Sequence, residues 1–533
     1  MPAPEPTHIV PKHHGLVRLA HWANVPLLLL LVATGMAIYW AAPVFTHPRD
    51  PVTHSNDYIA DLGIALARLT GDRGPAPGDW VYDRVGLGTR LLAEALALHW
   101  LLAFLFMLNG LLYALGLAAG GGWRALLPRV SDPAGAWAMI RYYLGIVPMA
   151  ILRRPWPHPP VRGKYNPLQR AGYFAMPVAG ILVVLSGWAM HKPVQLGWLE
   201  RLFGDYEGAR IVHFAAMFLL ASFVVPHVVL VVADGWDTFR SMVVGWSARV
   251  THATEPVVEA DARRLRAASR RDFLLLAAGA VGTLAGAWWL LPERTKQRLL
   301  PGGTRRHLDT LAARVGLTPG ARRRALDGVL TFDDDVAEAL YSKDRRVRTY
   351  ARSAVTPLRV NYHGRTPDAS ILPGWALEVR GLAAPGSSVR LTLDDLVSRL
   401  PLHEEGTRLV CVEGWSAVAW WGGFRFADFL AAFPPRSGAR WAALRSAVNL
   451  DAHGRPDPYY VSLDLATARH PQVLLATRKD GRPLTLGHGA PLRLVAPMKL
   501  GLKNIKGLTA IEYVEHEPAD YWNERGYSRY DGL

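Results

Sequence analysis

The sequence predicts a multi-domain chain in which a bundle of membrane helices is followed by a soluble half. Three observations carry this. Half of the 533 residues are hydrophobic, a fifth are charged and the net charge is +16, a combination rare among soluble basic proteins. Five apolar runs approach the roughly 20 residues that cross a bilayer: Leu16–Ala42, Leu91–Leu117, Ala171–Met190, Ile211–Ala233 and Phe273–Leu291. After Pro292 no such run recurs, and the remaining stretch of about 240 residues suffices for one large soluble domain or two small ones.

The leader before the first run is polar and rich in Pro and His, so no cleavable signal peptide is expected there. Much of the positive charge flanks the runs, which argues for membrane orientation and against nucleic-acid binding. Between the second and third runs lie Arg124, Arg129, Arg141, Arg153, Arg154, Arg162 and Lys164 against a single acid, Asp132. The stretch before the fifth run ends in Arg263, Arg264, Arg266, Arg270 and Arg271. After the first run, by contrast, Asp50, Asp57, Asp61, Asp72, Asp79 and Asp83 face five arginines. Basic loops stay inside, so the N-terminus is expected in the cytoplasm. Five crossings then leave the C-terminal half outside the cytoplasmic membrane. The basic residues Arg294, Lys296, Arg298, Arg305 and Arg306 run against this, although long translocated domains are largely exempt from the charge rule.

Histidine inside a membrane helix is costly without a partner and marks a site by default. The first run carries His21, the second His99, and the fourth both His213 and His227. The last two are 14 residues apart, near one helical face and roughly 21 Å apart along the axis. Depth then pairs His21 with His227 and His99 with His213. Two bis-histidine sites at two depths are what two b-type hemes need. Arg18, one turn before His21, is a candidate partner for a heme propionate or else an inward-facing flank. His191, at the end of the third run, is expected at the interface.

The stretches "RLAHW" and "KYNPLQRAGY", with the fourth-run histidines, resemble the diheme cytochrome b subunits of nickel-iron hydrogenases and formate dehydrogenases over residues 10–245. That resemblance implies the same histidine pairing and a quinone site near one heme.

The single cysteine, Cys411, precludes an internal disulfide. Its setting, "TRLVCVEGWSAVAWWGGFRFADFLAAF", reads as a strand entering a loop, with a short helix at "FADFLAAF". On residue type alone a lone cysteine is more often a buried small hydrophobe than a ligand. The motifs "CVEGWS", "HPQVLLATRKDGRPLTLGHGAPLRLVAPMKLGLKNIKGLTAIEY" and "YWNERGY" resemble the α+β sulfite-oxidase fold of molybdopterin enzymes across residues 355–530. Within it they are most similar to the group holding the catalytic subunit of periplasmic methionine-sulfoxide reductase. The resemblance implies that Cys411 is a thiolate ligand to molybdenum. It also implies cofactor contacts at Asn361, Ser446, His488, Arg493, Asn504 and Lys506. Trp415, Trp420 and Trp421 are candidates for the wall of a substrate funnel or for core.

A cofactor of that kind is inserted in the cytoplasm, so its domain must cross already folded. "SRRDFLLL" before the fifth run resembles the twin-arginine signal of the route that carries folded cargo. The fifth run is then both address and anchor, and "AGAW" at Ala285–Trp288 is expected to stay uncut.

The expected layout follows. Residues 1–245 form a four-helix diheme cytochrome b. Residues 246–292 hold a basic linker, the twin-arginine-like motif and a fifth, anchoring helix. Residues 293–354 form an Arg-rich linker, helical at "TLAARVGL" and "DDDVAEALYSKDRRVR". Residues 355–533 form the molybdopterin domain. The expected activity is oxygen-atom transfer on a small extracytoplasmic substrate, coupled to quinone or quinol in the lipid membrane. Sulfoxide reduction is favoured over sulfite-type oxidation, and a non-catalytic electron-transfer module is the remaining alternative.

Overall fold

The computed structural model describes residues 7–39, 92–157, 159, 165–234, 236–247, 257–260, 262–291, 293–300, 302–360, 366–384, 386–451 and 455–533. The acidic stretch Asp50–Asp83, Asn361 and Arg365 lie outside them. Strand β1 (Thr7–Pro11) leads into helix α1 (Gly15–Tyr39). Then come α2 (Leu92–Ala119), α3 (Asp132–Ile151), α4 (Pro167–His191), α5 (Gly197–Leu202), α6 (Tyr206–Asp234) and α7 (Trp236–Val244). Short strands β2 (Trp246–Ser247) and β3 (Val258–Ala260) precede α8 (Ala262–Leu290), α9 (Glu293–Leu299), α10 (Gly303–Arg314) and α11 (Pro319–Ala339).

The chain forms two compact units. One holds Met1–Val32, His99–Gly187 and Arg210–Pro319; the other holds Ala33–Leu98, Trp188–Ala209 and Gly320–Leu533.

In the first unit, four described helices are long and apolar enough to cross a membrane: α1, α2, α4 and α6. Caps explain why two of them start earlier than the apolar runs. Asn166 accepts from the Gln169 amide at 2.8 Å while Gln169 accepts from the Asn166 amide at 3.1 Å, a reciprocal cap with Pro167 at the first helical position. Asp205 caps α6 by accepting from the Gly208 amide at 2.9 Å. The expected fifth crossing is the second half of α8, whose first half carries Arg270 and Arg271. Helix α3 lies where the sequence read only a basic loop. Its apolar side chains are strongly exposed, Leu144 by 73% and Ile151 by 75%, and Arg141 interrupts their run.

A three-stranded antiparallel sheet, ordered β2-β1-β3, ties Val10 to Ser247 and Thr7 to Ala260. Inside the bundle Asn109, buried on α2, donates to the Ala20 carbonyl at 2.9 Å and to Asn24 at 2.8 Å on α1. An amide within an apolar run bonds across helices because lipid offers it nothing else.

The second unit is built on two five-stranded sheets. The first contains β6 (Leu402–Val410), β7 (Ser416–Arg425), β10 (Leu474–Lys479), β11 (Arg482–Pro483) and β12 (Arg493–Val495). The second contains β4 (Leu377–Arg380), β5 (Ser388–Leu391), β8 (Trp441–Asn449), β9 (Pro458–Asp464) and β13 (Leu508–Val514). All pairings are antiparallel except β4 with β13. Short helices α12 (Leu393–Arg399), α13 (Phe426–Ala432) and α14 (Leu465–Ala468) pack around them. The core includes Phe424, Phe426, Phe429, Leu444, Val461 and Ile511, each about 1% exposed or less. Each such side chain stabilises the fold by roughly 1.5–3 kcal/mol. The expected strand, loop and short helix around Cys411 are β6, the turn after it, β7 and α13.

Residues 320–354 are woven into this second unit. Helix α11 stops at Ala339, short of the expected helical "SKDRRVR". Two of its three consecutive aspartates are buried. Asp333 meets His191 at 2.7 Å and Lys192 at 3.0 Å, and Asp334 accepts from the amides of Arg529 at 2.8 Å and Tyr530 at 3.1 Å. His191 therefore hydrogen-bonds the buried Asp333 carboxylate, where an interfacial side chain was expected.

Candidate functional site

The four helical histidines come together as depth predicts. The ring centres of His21 and His227 lie 5.9 Å apart, and those of His99 and His213 lie 6.4 Å apart. A metal held at about 2 Å by one nitrogen of each imidazole separates ring centres by about 6 Å, so the spacing fits two axial ligands. Among the described residues no three His, Cys, Asp or Glu side chains converge to hold a metal alone. A metal at these pairs must bring its remaining donors with it.

Local contacts set the rings. His213 Nδ1 lies 2.8 Å from the Val183 carbonyl, which can only accept, so Nδ1 carries the proton and Nε2 is left as the ligating atom. Gly187 on α4 makes room for this ring, since a Cβ there would stand 3.2 Å from His213 Cε1. His227 stacks on Phe223 at 5.4 Å, and Trp22 meets His21 edge-on at 5.5 Å. Arg18 donates to the Val243 carbonyl at 2.5 Å and pairs with Asp272 at 3.4 Å, linking α1 to the twin-arginine-like motif, while its buried Nε has no hydrogen-bond partner among the described residues.

Cys411 begins the turn of the β6–β7 hairpin. Its amide donates to the Trp415 carbonyl at 2.8 Å, and its own carbonyl accepts from Gly414 at 3.0 Å. Gly414 takes a φ of +84°, a conformation that only glycine adopts without strain. The thiol is 9% exposed and lies 3.7 Å from a Glu413 carboxylate oxygen. Burial, reinforced by that carboxylate, pushes the thiol well above its usual pKa, so only a bound metal or a cation makes it a thiolate.

The five expected cofactor contacts that lie among the described residues form one connected cluster. Ser446 on β8 donates to the Lys506 carbonyl at 2.5 Å. Arg493, 1% exposed on β12, donates to the carbonyls of His488 at 3.0 Å and Asn504 at 3.1 Å, with its guanidinium 4.8 Å from the Trp421 ring centre. Lys506 reaches the Gly487 carbonyl at 3.1 Å. Gly489, at φ +100°, lets it pass, since a Cβ there would lie 2.9 Å from Lys506 Cβ. Burial, with Arg493 adding to it and Cys411 opposing, lowers Lys506 to about 7. Two cations buried side by side raise one another's cost, which a bound anion relieves. The buried Trp421 Nε1 also lacks a hydrogen-bond partner among the described residues. These features suit an anionic group.

Two of the expected contacts have their side chains committed elsewhere. His488 is held at both ring nitrogens, by Thr485 at 2.9 Å and the Leu358 carbonyl at 3.0 Å, and burial lowers its pKa. Asn504 uses its amide on the backbone, at Ala496 (2.7 Å) and Leu500 (3.0 Å). Three residues join Cys411, of which sequence reasoning passed over Glu413 and Tyr527. Glu413 anchors the Trp415 indole at 2.8 Å. Arg359 lies 5.9 Å from the Trp415 ring centre and acts electrostatically on the thiol. Tyr527 is raised by burial, then by the charges of Glu413 and Cys411. Glu413 and Tyr527 sit inside "CVEGWS" and "YWNERGY", so their signal lay in the flanks of the motifs. Of the three tryptophans, Trp421 is core, Trp415 flanks Cys411, and Trp420 bonds Glu404 at 3.1 Å under Arg352.

Residues 12–245 match the family of prokaryotic cytochrome b561, and residues 363–522 match the oxidoreductase molybdopterin binding domain. The chain is 35% identical over 214 residues to the "Putative protein-methionine-sulfoxide reductase subunit YedZ1" of Azospira oryzae, covering 39% of this chain and 76% of that one. It is 38% identical over 168 residues to the protein-methionine-sulfoxide reductase catalytic subunit MsrP of Xanthomonas campestris pv. campestris. That match covers 30% of this chain, which thus spans about half, 51%, of the relative's length. The sulfane dehydrogenase SoxCD from Paracoccus pantotrophus aligns with a TM-score of 0.25 and 17% identity, over 33% of this chain and 46% of that one. The chain belongs to the prokaryotic cytochrome b561 family and continues into an oxidoreductase molybdopterin binding domain.

Proposed function

We propose that the protein is a membrane-bound molybdenum oxidoreductase that reduces a sulfoxide such as methionine sulfoxide, drawing electrons from quinol through two b-type hemes. The observation that carries this is the cluster at Cys411, where one buried thiol lies beside a buried cationic pocket. Cys411 is the protein's ligand to molybdenum. Arg493 and Lys506 hold the pterin phosphate by charge-assisted hydrogen bonds, with Ser446, Asn504 and His488 fixing the backbone that presents them. The cofactor, when bound, supplies the two-electron exchange of an oxygen atom. Glu413 holds Trp415 over the site, and Tyr527 with Arg359 supplies a hydroxyl and a positive charge where a sulfoxide oxygen would lie. Burial of the thiol excludes water from that face.

The pairs His21/His227 and His99/His213 each provide two imidazoles to one heme, with Val183 fixing the tautomer of His213. The sulfoxide reading is preferred over the sulfite-type one because the matched C-terminal relative, 38% identical over 168 residues, is named a protein-methionine-sulfoxide reductase catalytic subunit.

The topology read from charge gains support from β1, which pairs with β2 after an even number of crossings. A fifth crossing in α8 carries the molybdopterin domain to the periplasmic face. Arg271 is 74% exposed and Arg270 is exposed too, open to twin-arginine recognition.

The test is to reduce the hemes with quinol and then add methionine sulfoxide. Reoxidation is expected; heme reduction by sulfite alone would overturn the direction. Two hemes without molybdenum, with C411S unchanged, would leave only an electron-transfer module.

A further inference from the structure

The 14-residue hairpin between α4 and α6 borders a second site. A cavity of about 370 Å³ lies between this hairpin and the segment 345–350, both in the second unit. Five arginines line it, Arg201, Arg345, Arg346, Arg348 and Arg408, against a single acid, Glu200. Arg408 is neutralised by Asp205 at 2.8 Å. The other four form no ion pair among the described residues, although Arg348 acts electrostatically on Glu200: Arg345 and Arg348 donate to the carbonyls of Leu340 at 3.0 Å and Gly204 at 3.2 Å. Arg201 and Arg346 make no hydrogen bond or ion pair there. Four guanidinia around one concavity, with donors to spare, are arranged for a multivalent oxyanion.

The cavity's place selects the source of that anion. Its hairpin joins two helices that are each long and apolar enough to cross a membrane, so it sits where a span meets water. On the same hairpin Trp198 is 61% exposed and Leu202 is 68% exposed. Trp beside basic side chains at that level is the pattern of contact with lipid headgroups. We infer that the arginine-lined cavity between residues 193–201 and 345–350 binds the phosphate headgroup of an anionic phospholipid. The cavity comes next to Cys411 through Val410 at the end of β6, but none of the residues assigned to the hemes or the pterin lines it, and its occupancy does not depend on either assignment.

The experiment uses the full chain in phosphatidylcholine nanodiscs containing brominated phosphatidylglycerol. Trp198 quenching is read as the difference between the parent protein and W198F. Quenching is expected at low mole fractions of the brominated anionic lipid and to weaken with salt. In R201Q/R346Q, whose replaced side chains are exposed and bond nothing, the midpoint is expected to rise about tenfold. Equal quenching by brominated phosphatidylcholine, or an unchanged midpoint in that variant, overturns the proposal. Loss of quenching on adding millimolar inorganic phosphate assigns the cavity to free phosphate and overturns the lipid source.

Discussion

In the helical unit each histidine pair rests on two side chains from two helices, with one backbone carbonyl setting one tautomer. Around Cys411 the corresponding groups come from a hairpin turn, two strands and three loops, held by hydrogen bonds to backbone carbonyls. The difference teaches how each site tolerates loss. If, as proposed, each pair takes the rest of its ligand sphere from a porphyrin, it would fail one ligand at a time. A pocket built from backbone carbonyls and buried cations fails as a block.

The contrast is broken most severely at the thiol. C411S is expected to lower sulfoxide turnover by at least about a thousandfold while the heme spectrum stays intact. Next, H213A is expected to remove one heme signal and to cut quinol-driven turnover several hundredfold. Its molybdenum content should match the parent, and a joint loss of both cofactors would show that the two regions are not independent.

D333N tests a buried pair that serves neither cofactor, and should cost about 3 kcal/mol, read by thermal unfolding. Burial alone would raise Asp333, but His191 and Lys192 outweigh it and hold the carboxyl below its usual range. Its contribution is complete above the unfolded carboxylate pKa of about 4 and fades as pH falls through the lower folded value. D333N should therefore also flatten the acid limb of the stability profile. K506M sharpens the comparison from the pocket side, with about tenfold weaker retention of molybdenum and unchanged hemes. Smallest is T392A, which removes the reciprocal cap of α12 at a cost of about 1 kcal/mol and leaves both cofactors in place.

How much of this was legible follows from the same contrast. The histidine pairs of the helices were readable because period and depth alone pair His21 with His227 and His99 with His213. The α4 start was also written in the chain, as Asn166, Pro167 and Gln169 spell a capped terminus. Helix α3 was hidden because Arg141 and exposed apolar groups blur its pattern. The stretch of α11 was legible only as helical, and nothing local announces that His191, Lys192 and Ser528 will bury two of its aspartates. At the pocket, residue type located Cys411 only through a family motif. That His488 and Asn504 spend their side chains on protein carbonyls and amides is a tertiary outcome that no spacing encodes.

Strand β1 is synthesised well before its partner, which emerges about 240 residues later, as the register of Val10 with Ser247 requires. At ribosomal rates of about 5–20 residues per second, that is a wait of roughly 12–50 seconds. Until then its edge is open to any other unpaired strand nearby. Nascent chains arrested before Trp246 should thus be the aggregation-prone species, and a chaperone that shelters the N-terminal strand would raise yield more than one acting on the finished protein.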